Sequence, residues 1–136
     1  MISKLLGLYR RKRAPAAAGA EPVVQQRTLP LDVSDDDFAE IVLASERLVL
    51  VDFWAEWCEP CRIMSAYVGF LAQDYADKLL VAALDVDENP LTSEQFNVMG
   101  LPTLILLRAG RELDRVVGVT SYEELRQRVQ DLLTEA

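Results

Sequence analysis

The sequence of 136 residues contains no histidine and only two cysteines, Cys58 and Cys61. Zinc sites in proteins usually draw four ligands from cysteine, histidine and carboxylate side chains. Without a histidine or a third cysteine, the sequence argues against such a site, and we expect no bound metal. Two cysteines are also too few for a disulfide-rich scaffold, so the protein is compatible with a reducing compartment.

Glycine, proline and long hydrophobic runs are scarce as well. Six glycines and six prolines in a chain with 51% hydrophobic residues are typical of one globular domain with a substantial core. No apolar run approaches the roughly eighteen residues that a membrane-spanning helix requires. The sequence therefore predicts a folded domain without a transmembrane segment.

Basic residues are scarce in most of the chain. Residues 1–27 hold six of the 14 basic residues and one of the 22 acidic residues, which gives this segment a net charge of +5. Since the whole chain has a net charge of −8, residues 28–136 carry −13. An acidic body argues against a nucleic-acid-binding protein, because phosphate contacts require a basic surface.

The basic segment, residues 1–27, is predicted to be a disordered N-terminal arm. Residues 14–22 are mostly alanine, proline and glycine, which cannot form a packed face. A secretory signal peptide places its long apolar stretch after the positive charges, whereas here a short apolar stretch precedes them. The arm is open to three interpretations: a solvated tail, an organellar transit peptide, or a weak amphipathic contact with anionic lipid. We expect a cytoplasmic protein, with an organellar location as the alternative.

The two cysteines lie two residues apart in Cys58-Glu59-Pro60-Cys61, shortly after the apolar segment 48–53. A bridge that closes so short a loop removes little conformational entropy from the unfolded chain, so a purely structural disulfide is a poor explanation. Two thiols at this spacing can close a disulfide and reopen it. The sequence therefore predicts thiol-disulfide exchange.

Extended and helical periodicities alternate from residue 28 onward. The predicted strands cover residues 28–33, 48–53, 79–86, 103–107 and 114–117, the last two joined by a turn at Ala109-Gly110. The predicted helices follow Ser34, Cys58, Asn89 and Ser121. This order predicts an α/β fold in which a central mixed sheet has helices on both faces.

Residues from about 28 to 133 resemble thioredoxins without an obvious insertion or deletion. The matching stretches are Val51-Asp52-Phe53-Trp54-Ala55-Glu56-Trp57-Cys58, Leu84-Asp85-Val86-Asp87-Glu88-Asn89-Pro90, Gly100-Leu101-Pro102-Thr103 and Val117-Gly118. Together they are specific, whereas a cysteine pair alone is a weak signal. The resemblance implies that residues 28–136 form a thioredoxin-like three-layer sandwich.

The resemblance also implies an activity, the reduction of protein disulfides by the Cys58-Cys61 dithiol. A disulfide oxidase or isomerase is one alternative, and a peptide-binding chaperone module is another. The implied partners are disulfide-containing client proteins and an electron donor resembling thioredoxin reductase. We expect a monomer without a cofactor, because the dithiol itself carries the electrons.

The matched residues near the cysteines have implied roles. A helix N-terminus stabilises a thiolate, so Cys58 is expected to be the nucleophile and Cys61 the resolving thiol. Pro60 suits the first helical turn, where its missing N–H has no intrahelical partner. Asp52 is expected to exchange a proton with Cys61, and its burial in an apolar strand should raise its pKa.

A second set of matched residues implies a client-binding surface. In this family the proline at position 102 is cis and faces the cysteine pair. An extended client segment would bind to a shallow apolar surface beside it. That surface is expected to consist of Trp57, Gly100, Leu101, Val117, Gly118 and Val119.

Three positions depart from the family pattern. Glu59 replaces the usual glycine between the cysteines, and its carboxylate opposes the Cys58 thiolate weakly. Ala66 replaces a helix-kinking proline, so the helix should be straighter. Ala83 replaces a lysine near Asp52, and without that cation the Asp52 pKa should be higher than in relatives.

Overall fold

The computed structural model describes residues 29–135, so the predicted arm of residues 1–27 lies outside the described residues. The described part of the chain forms five strands, three α-helices and one π-helix, in the predicted order. They are β1 (Leu31–Asp32), a π-helix (Ala39–Leu43), β2 (Leu48–Trp54), α1 (Glu59–Asp74), β3 (Leu79–Asp85), α2 (Pro90–Gln95), β4 (Thr103–Arg108), β5 (Arg111–Val117) and α3 (Tyr122–Thr134).

The five strands form one mixed sheet in the order β1-β3-β2-β4-β5. Strand β3 pairs in parallel with β1 and β2, whereas β4 is antiparallel to β2 and β5. Central strands covered on both faces are expected to be continuously hydrophobic. Strand β2 fits this pattern, because its residues from Leu48 to Phe53 are all buried.

Helices cover both faces of the sheet, which confirms the predicted α/β architecture. Alternate residues of β2 point to opposite faces. Leu48 and Leu50 pack in one core cluster with side chains of α1 and α3. Val49 and Val51 pack in a second cluster with side chains of the π-helix. Asp52 continues the row of Leu48 and Leu50, so it lies on the face that α1 covers.

The first helix differs from its prediction. Residues 35–37 form a turn, and a π-helix follows with Phe38 at its N-cap and no side-chain cap. Ser34 does not cap a helix; its backbone N–H donates to Asp37 Oδ1 at 2.7 Å. The helical backbone therefore starts only at Phe38, four residues after the predicted cap. Phe38 and Val42 are nevertheless buried in the core, as their spacing predicts.

Two local predictions near the C-terminus are confirmed. The β4–β5 hairpin turns at Ala109 and Gly110, whose φ angles of 52° and 79° fit the twist of a two-residue loop. Ser121 Oγ accepts a hydrogen bond from the Glu124 N–H at 3.1 Å, which caps α3.

Candidate active site

The cysteine pair lies at the start of α1, shortly after the end of β2. Cys58 is the N-cap residue of α1, its backbone is extended, and its N–H donates to the Ala55 carbonyl at 3.2 Å. Cys61 lies one turn into the helix, and a disulfide joins the two residues, whose Cα atoms are 5.3 Å apart. Pro60 occupies the first turn of the helix. The strand-to-helix junction therefore presents the pair at a helix N-terminus, as the sequence predicts.

Apolar side chains surround the disulfide. Cys58 and Cys61 are 4% and 2% exposed, and they cluster with Ala55. Trp54 and Leu101 also pack against this cluster. The two cysteines are almost equally buried, so Cys58 differs from Cys61 in its position at the helix N-cap and not in its exposure.

Asp52 is a buried carboxyl beneath α1, 2% exposed. Ser65 Oγ donates to Asp52 Oδ2 at 2.8 Å, whereas Oδ1 has no hydrogen-bond partner among the described residues. Burial removes water from the carboxylate and raises the pKa of Asp52 to about 6, although the Ser65 hydrogen bond opposes this shift. A carboxyl with this pKa can both accept and release a proton near neutral pH.

A cavity of about 460 Å³ connects this carboxyl to the cysteines. Its wall includes Asp52, Cys58, Cys61, Ser65 and Ala83, together with Asp32. Ala83 pairs in register with Asp52 on β2 and with Asp32 on β1, so the three residues form one row across the sheet. Where the family usually has a lysine, this chain thus has the methyl group of Ala83 between two acidic residues.

Glu59, between the cysteines, has a cationic neighbour. Its Oε1 lies 4.0 Å from Arg62 Nε, and the two side chains are 85% and 73% exposed. Exposed pairs of this kind interact weakly because solvent and salt screen them. The weak effect of Glu59 on the Cys58 thiolate stays a prediction, with Arg62 as the oppositely charged neighbour.

The predicted client-binding residues of the two C-terminal stretches lie together. The Leu101–Pro102 peptide bond is cis, and the Gly118 N–H donates to the Pro102 carbonyl at 2.8 Å. Gly118 has a φ of 91°, which favours glycine. A Cβ atom on Gly100 would lie 3.9 Å from Val117 Cγ1, so these two residues are also neighbours. Leu101 connects this group to the cysteines, because it packs against their cluster.

Three of the predicted client-binding side chains are large, apolar and exposed. Trp57 is 70% exposed, Val117 63% and Val119 50%. The Trp57 indole Nε1–H donates to Asp87 Oδ2 at 2.8 Å, which ties the ring to the loop after β3. Exposed apolar side chains near a reactive group are typical of a binding surface.

Sequence reasoning missed two partners of the site, Ser65 and Asp87. Ser65 could have been found from its spacing, because residues four apart on a helix share a face and Cys61 is four residues earlier. Asp87 carries no such signal, since its contact with Trp57 joins two loops 30 residues apart. Exposed Met99, at 87%, was also absent from the predicted surface.

Residues 29–135 were also considered as a possible metal-binding or membrane-spanning region, and they have the features of neither. Within this range, no group of three or more cysteine, aspartate or glutamate side chains is arranged to hold a metal ion. No helix in the same range is both long and apolar enough to span a membrane.

Comparison with known proteins gives consistent matches. A family model described as Thioredoxin matches residues 30–131. A thioredoxin of Alicyclobacillus acidocaldarius is 42% identical over 103 residues, covering 76% of this chain and 97% of the relative. A thioredoxin of Acidithiobacillus ferridurans is 47% identical over 95 residues, covering 70% and 88%. One from Synechocystis is 43% identical over 101 residues, covering 74% and 94%.

The fold and the cysteine site define a thiol-disulfide oxidoreductase, in which a disulfide at a helix N-terminus is the redox-active group. The family match covers three quarters of the sequence and includes the whole site. The chain belongs to the thioredoxin family. It is accordingly a protein disulfide reductase that acts on disulfide substrates.

Proposed function

We propose that Cys58 attacks the client disulfide and that Cys61 resolves the mixed disulfide. The position of Cys58 at the N-cap of α1 supports this order most strongly. The free N–H groups and the partial positive charge of a helix N-terminus stabilise a thiolate. The Cys58 thiolate bonds to one client sulfur, and the other client sulfur leaves as a thiolate.

The second step reverses the roles of the two cysteines. Asp52 takes the proton of the Cys61 thiol, and the Cys61 thiolate then attacks Cys58 Sγ. The bond between Cys58 and the client breaks, so the client leaves fully reduced and the Cys58-Cys61 disulfide forms. The pKa of Asp52, raised by burial, suits this exchange.

Client proteins are proposed to bind as extended segments beside Pro102. The contiguity of Gly100, Leu101, Val117 and Gly118 supports this surface. Trp57 and Val119 are included in the proposed surface because both side chains are apolar and exposed. Main-chain contacts supply much of the affinity in this binding mode, so a shallow apolar surface can accept many client sequences.

Two electrons must return to the disulfide after each turnover, and we propose a donor resembling thioredoxin reductase. The cysteines carry these electrons, so the proposed reaction needs neither a metal nor a cofactor. A monomer in the cytoplasm suits such a cycle, since reducing conditions keep the dithiol available.

Trapping experiments test the order of attack. Cys61→Ser should accumulate mixed disulfides with client proteins, because Cys58 can still attack but nothing resolves the product. Cys58→Ser should trap almost none, and insulin reduction should be lost in both variants. The matched control is the double serine variant. Equal trapping by the two single variants would overturn the assignment.

A further inference from the structure

Ser65 is a hydroxyl-bearing residue of the site to which the reaction so far assigns no role. It lies on α1 four residues after Cys61, so both side chains belong to the same face of the helix. That face packs on the row of β2 that contains Asp52. Ser65, Asp52 and Cys61 therefore line one cavity.

The two carboxylate oxygens of Asp52 have different surroundings. Oδ2 accepts the 2.8 Å hydrogen bond from Ser65 Oγ. Oδ1 is buried and makes no hydrogen bond within the described structure. A donor on one oxygen fixes the rotation of the carboxyl group and leaves the other oxygen as the available acceptor.

The charged groups that line the cavity do not take the place of the Ser65 hydrogen bond to Asp52. Asp32 on β1 and Glu56 before the cysteines are acidic, and the residue beside Asp52 on β3 is Ala83. Arg62 also lines the cavity, but its guanidinium lies near Glu59 at the exposed surface. A hydrogen bond to an ionised carboxylate is stronger than one between neutral groups, so Ser65 favours the charged form of Asp52.

We propose that Ser65 is a positioning residue for proton transfer between Asp52 and Cys61. The inference rests on the proposed role of Asp52. Ser65 holds Oδ2, so that Oδ1 receives the proton of the Cys61 thiol. As the proton leaves, Cys61 Sγ bonds to Cys58 Sγ and the client sulfur departs with the electrons of the broken bond. In this chain the neutral hydroxyl of Ser65 thus stabilises the Asp52 carboxylate, which has Ala83 and not a lysine beside it.

The test measures release of a labelled client from its mixed disulfide between pH 5 and pH 9, with NMR titration of the Asp52 carboxyl. Ser65→Ala should raise the Asp52 pKa by about 1 pH unit and slow release at pH 6 roughly fivefold. Ser65→Thr, which retains the hydroxyl, should restore the wild-type profile. Ser93→Ala, which removes a hydroxyl from α2, is the matched control and should change neither measurement.

Asp52→Asn separates the proton-transfer role of Asp52 from the positioning role of Ser65. If Asp52→Asn slows release but Ser65→Ala leaves the pH profile unchanged, the inference about Ser65 is wrong and the role of Asp52 stands. If Asp52→Asn leaves release unchanged, the role of Asp52 fails and the inference fails with it. In the double variant, Ser65→Ala should slow release no further than Asp52→Asn alone; an additional fivefold loss would show that Ser65 acts independently of Asp52 and overturn the inference.

Discussion

At the scale of single residues, Asp52 shows a conflict between folding and chemistry. Its position on β2 continues the row of Leu48 and Leu50, where an apolar side chain would pack without cost. An ionised carboxylate there loses its hydration, and one hydrogen bond from Ser65 replaces it only partly. The same burial gives the carboxyl a pKa suited to proton exchange.

Asp52→Asn is expected to stabilise the protein at neutral pH. Burial raises the pKa of Asp52 from 3.8 to about 6, so the folded state binds more protons than the unfolded state between these values. Stability is therefore lost as pH rises through this window, and the full cost applies above it. The shift corresponds to about 3 kcal/mol at pH 7 to 8.

Chemical denaturation at several pH values measures this effect. The gain from Asp52→Asn should be about 2 to 3 kcal/mol at pH 8 and close to zero at pH 3.5, where the carboxyl is mostly protonated in both states. Ser93→Ala serves as a control away from the carboxyl. A gain that does not depend on pH would contradict the explanation by burial of charge.

At the scale of elements, helices α1 and α3 begin in different ways. Helix α1 follows its N-cap residue Cys58 without a side-chain cap, so no side-chain oxygen competes with sulfur at this helix N-terminus. Helix α3 begins instead with a side-chain cap from Ser121. Helix α1 also continues without interruption through Ala66, in agreement with the absence of the family's proline.

Ser121→Ala is expected to lower the free energy of unfolding by about 1 kcal/mol, because the Glu124 N–H loses its acceptor. Urea denaturation measures the loss. Ser121→Asp keeps an acceptor at the same position and should stay close to wild type. Insulin reduction should be unaffected, since α3 contributes no residue to the cavity wall around the cysteines. A loss below about 0.3 kcal/mol would contradict the assigned cap.

At the scale of the whole molecule, charge is divided between the basic arm of residues 1–27 and the acidic remainder. The arm carries +5 and residues 28–136 carry −13, which together give the net charge of −8. The buried hydrophobic residues of the described domain begin at Val33 and end at Leu132. The arm stays a prediction of the sequence, with its three interpretations open.

Deleting residues 1–25 tests the arm. The melting temperature and insulin reduction should change little, because the described core begins after this segment. If the arm contacts lipid, binding to anionic vesicles should vanish with the deletion and weaken as salt rises, at about 1 kcal/mol per basic residue. Neutral vesicles are the control. A fall in melting temperature of more than about 5 °C would show that the arm supports the fold.

The sequence by itself determined the fold class, the element order and the position of the cysteines. These follow from local patterns, namely the buried runs of β2 and β3, the turn at Ala109-Gly110 and the cap at Ser121. Local patterns did not predict the π-helix, because its wider hydrogen bonds, such as that from the Ala44 N–H to the Ala39 carbonyl, bury the same Phe38 and Val42 that a regular helix would bury.

Only the tertiary structure decided which side chains surround the chemistry. Ser65 meets Asp52 because α1 crosses the face of β2, and Trp57 meets Asp87 because two distant loops converge. Ala83 matters because strand register sets it beside Asp52. Such contacts join residues that belong to different elements, so they depend on how the elements pack and on strand register. Hydrophobic periodicity specifies only which face of an element is buried.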